Sequence, residues 1–189
     1  KRTRRQIIPL ADGGNEAIDW IEYEEVSKRN SDDSSPIVLV FHGLNGGSSD
    51  SYVRHMCAQC IAHGWRSAVV VSRGYEGTEL SSWKPYHPGD INDVHAAVIA
   101  VRKQFPCAPL LAVGFSLGGN VLAGYVGQME GRCELTAAVS ISSPHLLEPA
   151  SKYFTFNSPK ILTKSMLTSL RAYISRHRHM ICQSPTANV

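Results

Sequence analysis

Gly114-Phe115-Ser116-Leu117-Gly118 follows the apolar run Leu110-Leu111-Ala112-Val113 and precedes Gly119-Asn120-Val121-Leu122. The first run predicts a buried strand over Leu110–Phe115, and the second opens a helix over Gly118–Met129. A serine between glycines at such a junction fits G-x-S-x-G, where a tight bend lifts the hydroxyl above the sheet edge at a helix N-terminus. Ser116 is therefore the candidate nucleophile.

Outward from this bend the pattern repeats. Ile37-Val38-Leu39-Val40-Phe41 is apolar without polar alternation, as expected of a strand covered on both faces. Ala68–Val71 reads the same way, and Leu135–Ser142 supplies a fourth strand. Helices are predicted over Tyr52–Gly64, with Gly64 as its stop, and over Asp90–Phe105, ended by Pro106. Strand and helix thus alternate, which predicts an α/β fold with an open, mostly parallel sheet and helices on both faces. Before this core, Gln6–Leu10 and Ala17–Tyr23 flank Asp12-Gly13-Gly14 and predict a hairpin. Lys28–Pro36 reads as a loop.

The 189 residues are 43% apolar, enough for one domain with a buried core, and they exclude wholesale disorder. The apolar runs are strand-sized and fall short of a membrane span. A formal charge of +3 is too weak to argue for nucleic acid, and none is expected as a partner. Five cysteines without a secretory signal read as thiols. Among them Cys57-Ala58-Gln59-Cys60 lacks the second pair that a zinc site needs, so it is assigned to helix packing. No metal and no cofactor is expected.

His42-Gly43-Leu44-Asn45-Gly46-Gly47 follows the first core strand. An acyl-transfer site needs two backbone N–H groups aimed at the developing oxyanion. The Leu117 N–H, just after the serine, and the Leu44 N–H are the candidates. Gly43, Leu44 and Asn45 are the expected substrate-binding residues, and His42 is expected to orient the loop.

These stretches, taken together, resemble the α/β-hydrolase fold and within it the AB hydrolase 4 (YheT-like, embryogenesis-associated) family. The resemblance rests on Asp12-Gly13-Gly14 with Asp19-Trp20, on His42-Gly43-Leu44-Asn45-Gly46, and on Tyr52-Val53-Arg54. It continues through Ser72-Arg73-Gly74, His87-Pro88-Gly89-Asp90 with Asp93, and Gly114–Asn120. One departure is Ser72, where the family usually carries Asn. The resemblance implies a serine hydrolase of acyl esters and lipids such as acylglycerols or phospholipids. A minority of the family are alcohol O-acyltransferases. Several relatives carry a membrane anchor ahead of the part present here, and with thiols read as held in a reducing setting the protein is expected to be intracellular.

The family's acid and base lie on later strands, and the last aspartate here, Asp93, precedes Ser116. The chain is therefore expected to be a fragment or truncated isoform, with residues 1–150 the N-terminal part of the hydrolase domain. Residues 151–189 would form a cap-region helix and a loose tail. Glu148 and His177 stand in the right order to substitute as acid and base, against the simpler reading of a solvated loop charge and a residue of a basic helix. His145 is a weaker candidate base. A catalytically inactive interaction module is the rival from another class.

Three features remain open. Lys160–Ile181 carries apolar residues at helical spacing and a basic side, which suits a membrane surface or a cap helix framing an acyl pocket. The Arg73–Gly89 loop, with Tyr75, Trp83, Tyr86 and His87, would lie beside the pocket mouth or cover the sheet edge. Asp90 and Asp93 read as charges at a helix N-terminus. The pattern leaves the oligomeric state undetermined.

Overall fold

The computed structural model describes residues 2–22 and 34–185. Most of the loop expected over Lys28–Pro36 lies outside these residues. Strands β1 (Arg2–Pro9), β2 (Asn15–Glu22), β3 (Ile37–Phe41), β4 (Arg66–Val71), β5 (Leu110–Phe115) and β6 (Ala137–Ile141) form one sheet. Their order is β1-β2-β4-β3-β5-β6. β2 pairs antiparallel with β1 and with β4, whereas β4, β3, β5 and β6 run parallel. The predicted hairpin forms because Gly13 adopts φ +79°. That conformation lets the Leu10 N–H reach Gly14 O at 2.9 Å.

Helices α1 (Ser51–Ala62), α2 (Asn92–Gln104), α3 (Leu117–Met129), α4 (Leu147–Asn157) and α5 (Lys160–Ile181) complete the fold. Strand alternation explains the unbroken apolar run of β3. Ile37, Leu39 and Phe41 join Val94 and Val98 of α2 and Leu122 and Tyr125 of α3 in one core cluster. Val38 and Val40 join Val53, Cys57 and Cys60 of α1 in the cluster on the other face. Each such side chain contributes about 1.5–3 kcal/mol on leaving water, so the two layers fix the sheet and thereby its C-terminal edge.

β6 pairs with β5, Leu111 facing Ala137, and stands at the edge with all five residues exposed. α4 was not foreseen in the sequence, where Glu148 read as a loop charge beside Pro149. Pro149 sits in the first turn of α4, where its missing N–H has no intrahelical acceptor to lose. The helix therefore runs through residue 150, across the expected domain boundary. Among the described residues, no helix is long and apolar enough to cross a membrane.

Candidate active site

β5 ends and α3 begins within one bend. Ser116 holds it with φ 52° and ψ −120°, a backbone conformation that side chains other than glycine rarely adopt. Its N–H donates to Ile141 O on β6 at 2.9 Å, and its carbonyl accepts from the Asn120 N–H at 3.0 Å. The neighbouring glycines are sterically required. A Cβ on Gly114 would lie 2.5 Å from Gly118 O, and one on Gly118 would lie 2.5 Å from Phe41 O and also strike His42 O. α3 can therefore start directly against β3 and the loop that follows it. Ser116 is exposed. It lines a cavity of about 370 Å³ with Gly43, Leu44, Asn45, Tyr52 and, from α5, Met166.

The His42–Asp50 loop forms the facing wall. The Gly43 carbonyl accepts from His42 Nδ1 at 2.7 Å and from the Gly46 N–H at 3.1 Å. In a trans peptide the N–H points opposite the carbonyl, so these two donors turn the Leu44 N–H the other way. His42 Nε2 accepts from the Ser72 N–H at 3.2 Å, which assigns the ring proton to Nδ1. Burial lowers the pKa of His42 and keeps it neutral, outweighing the Gly43 carbonyl and the Glu76 and Asp50 charges, which raise it. The Gly43 N–H is itself spent on Tyr52 Oη at 2.9 Å.

Farther along this loop, Ser48 Oγ donates to Asp19 at 2.6 Å, and Asp19 in turn grips Arg5 through both carboxylate oxygens at 2.7 Å. Glu76 accepts from the Ser48 and Ser49 N–H groups. Among the described residues, neither the Leu44 nor the Leu117 N–H has a hydrogen-bond partner. The Leu117 N–H opens α3, where the helix dipole favours negative charge.

A buried arginine ties the remaining motif residues together. Arg73 reaches both oxygens of Asp93, at 2.8 and 2.6 Å, and Asp12 at 2.8 Å. Burial alone would lower its pKa, but these carboxylates raise it above the ordinary arginine value. Asp93 is therefore more than the helix-end charge expected for it: its principal partner is Arg73. Asp90 does accept from the Asn92 N–H at 3.0 Å and also pairs with Lys84. Asn120 Nδ2 donates to Pro88 O at 3.0 Å, joining α3 to the same loop. Glu16, fully buried beside this group, has its carboxyl pKa pushed well up by burial and by the Asp93 charge, against the pull of Arg73.

The remaining candidates have other partners or none, and none of them is bonded to Ser116 among the described residues. Glu148 Oε1 pairs with Lys152 at 2.7 Å on the surface, and His177 Nε2 bonds Gly74 O at 2.8 Å. His145 is exposed after β6. Among the described residues, no imidazole or carboxylate hydrogen-bonds Ser116. Of the loop aromatics, Tyr75 stacks on Tyr173 with centroids 4.6 Å apart, Tyr86 packs edge-on to Tyr75, and Trp83 is exposed. None of them lines the Ser116 cavity, although Tyr75 lines a neighbouring one of about 290 Å³ that shares Asn45. Cys57 and Cys60 are core residues, and burial pushes the Cys60 thiol up to about 11.

Sequence reasoning gave no role in the site to Tyr52 or the Ser72 N–H. Tyr52 and Ser72 did stand in the motif stretches quoted above. Met166 belongs to the apolar spacing of Lys160–Ile181, the helix read as framing an acyl pocket, but only the packing of α5 selects it for the cavity.

The sequence profile of a family described as alpha/beta hydrolase fold matches residues 36–174. The embryogenesis-associated protein EMB8 of Picea glauca is 33% identical over 95% of this chain and 40% of its own length. Phospholipase ABHD3 of Homo sapiens is 29% identical over 94% of this chain and 44% of its own. Monoacylglycerol lipase of Saccharomyces cerevisiae is 34% identical over 70% of this chain and 29% of its own. The chain thus spans less than half the length of these curated relatives. Among solved structures, the Pyrococcus furiosus esterase Pf2001 superposes with a TM-score of 0.64 at 19% identity, over 91% of this chain and 66% of that one, a likeness of fold.

Proposed function

Because the chain belongs to the alpha/beta hydrolase fold family, and within it to the AB hydrolase 4 type, we propose that Ser116 is the nucleophile of a carboxylic ester hydrolase. Its Oγ attacks the ester carbonyl and gives up its proton to a base. The oxyanion settles between the Leu44 and Leu117 N–H groups, the alcohol departs, and water then releases the acid. The observation that carries this reading is the strained, exposed Ser116 bend opening on a cavity that Gly43, Leu44 and Asn45 also line. Gly43, Leu44 and Asn45 would hold the acyl carbonyl end of the substrate.

Relatives named phospholipase and monoacylglycerol lipase support a lipid ester as the substrate class. Such esters are held in bilayers, so the site would work beside a membrane. Acyl transfer to an alcohol would use the same residues with a different acceptor.

A second reading rests on one observation: Glu148 and His177 are engaged elsewhere. A serine without a base is a weak nucleophile, and a chain lacking one would act as a binding module.

A fluorophosphonate probe followed by peptide mass spectrometry separates the two. The ester hydrolase reading expects the phosphonyl group on Ser116, lost in Ser116→Ala and kept in Ser142→Ala. An unmodified Ser116, under conditions where the yeast monoacylglycerol lipase is modified, would overturn it and leave the binding module.

A further inference from the structure

α5 has two faces of different character. The inward face is docked: Tyr173 is buried with its hydroxyl donating to Arg73 O at 3.1 Å, His177 bonds Gly74 O, and Met166 walls the Ser116 cavity. The outward face carries Lys160, Lys164, Leu167, Arg171, Ile174 and Arg178 at steps of three and four, one stripe along the helix. All six are exposed.

Lys160, Lys164 and Arg171, with the Thr155, Ser158 and Thr168 side chains, line a groove of about 290 Å³ between α4 and α5. No carboxylate lines it, and among the described residues none of the three cations has an ion-pair partner. Next in the chain to the groove residues Thr155 and Lys160, Phe156 is 81% exposed and Ile161 82%. Across α4 and α5 the single acid, Glu148, is already paired with Lys152.

Cations and apolar side chains interleaved on one face restrict what can cover it. A protein interior would strand three unpaired cations away from water. An anionic bilayer receives both, with phosphates for the cations and acyl chains for the aromatic and aliphatic groups. β6 makes the contrast, since its exposed Val139 and Ile141 stand in a strand with no charge at all.

We infer that the outward face of α4 and α5 docks on an anionic lipid bilayer, with a lipid phosphate in the Lys160–Lys164–Arg171 groove and Phe156 and Ile161 inserted among the acyl chains. This docking holds whatever chemistry Ser116 performs. It also sets the helix that walls the Ser116 cavity against the bilayer.

Co-sedimentation of the whole chain with vesicles tests it. Vesicles containing phosphatidylserine should carry the chain down, and pure phosphatidylcholine vesicles should carry little. Replacing Lys160, Lys164 and Arg171 together by Gln should weaken binding about a hundredfold, and raised salt should do the same. Phe156→Ser with Ile161→Ser should weaken it at least about tenfold. These positions are exposed, so an unchanged far-UV spectrum is expected in each variant. Equal binding to neutral vesicles, or indifference to the triple replacement, would overturn the inference. So would a groove that takes inorganic phosphate while vesicles stay unbound, or a solution dimer dissolved by Phe156→Ser, which would give the face to a second copy.

Discussion

Replacing Ser116 by Gly should make this protein more stable. At φ 52° and ψ −120° the serine Cβ crowds the neighbouring peptide, and holding a non-glycine residue there costs about 1–3 kcal/mol. Glycine reaches the same angles without a Cβ, at the cost of about 0.5–1 kcal/mol of extra freedom lost from the unfolded chain. Ser116 Oγ is at an exposed position and makes no hydrogen bond among the described residues, so deleting it removes little else. The balance is a gain of about 1 kcal/mol, which for a domain of this size raises Tm by about 2–4 °C. Ser116→Ala is the control, because it loses the same oxygen but keeps the strained Cβ. Thermal and urea melts of the three proteins measure the difference, while the probe label should vanish from both variants. A Gly variant no more stable than the Ala variant would show that the bend stores no strain, and the elbow geometry would be refuted with it.

Gly118→Ala should act in the opposite direction. Its Cβ would meet the Phe41 and His42 carbonyl oxygens, which belong to backbone that cannot swing aside, so a loss of about 2–3 kcal/mol in urea melts is expected together with loss of probe labelling. Arg73→Ala should cost about 3–5 kcal/mol by removing the buried partner of Asp93, read as a drop in the urea midpoint. Glu16 holds its proton more tightly folded than unfolded, so the stability it supplies is complete below its unfolded pKa and is lost as pH rises toward the folded one. Glu16→Gln should therefore match the parent near pH 4 and exceed it increasingly toward alkaline pH, and a constant gap across the range would contradict that burial.

The order of the strands, and of the helices other than α4, could be read directly from the sequence. A run such as Ile37–Phe41 can be satisfied only between two apolar layers, and Gly114–Gly118 can form only a tight bend. The candidate nucleophile and both oxyanion N–H candidates came from the same local patterns, since backbone geometry is dictated by near neighbours. α4 escaped because proline in a first turn and proline in a loop look alike until the following residues pack.

What only the tertiary structure decided was which polar groups meet. Arg73 finds Asp12 and Asp93 from positions far apart in the chain, Tyr52 takes the Gly43 N–H, and His177 spends its ring on Gly74 O, away from Ser116. Hydrogen bonds and ion pairs act over about 3 Å, and their partners are chosen by how the layers stack. A one-dimensional sequence carries the residue types for these contacts but not the distances between them.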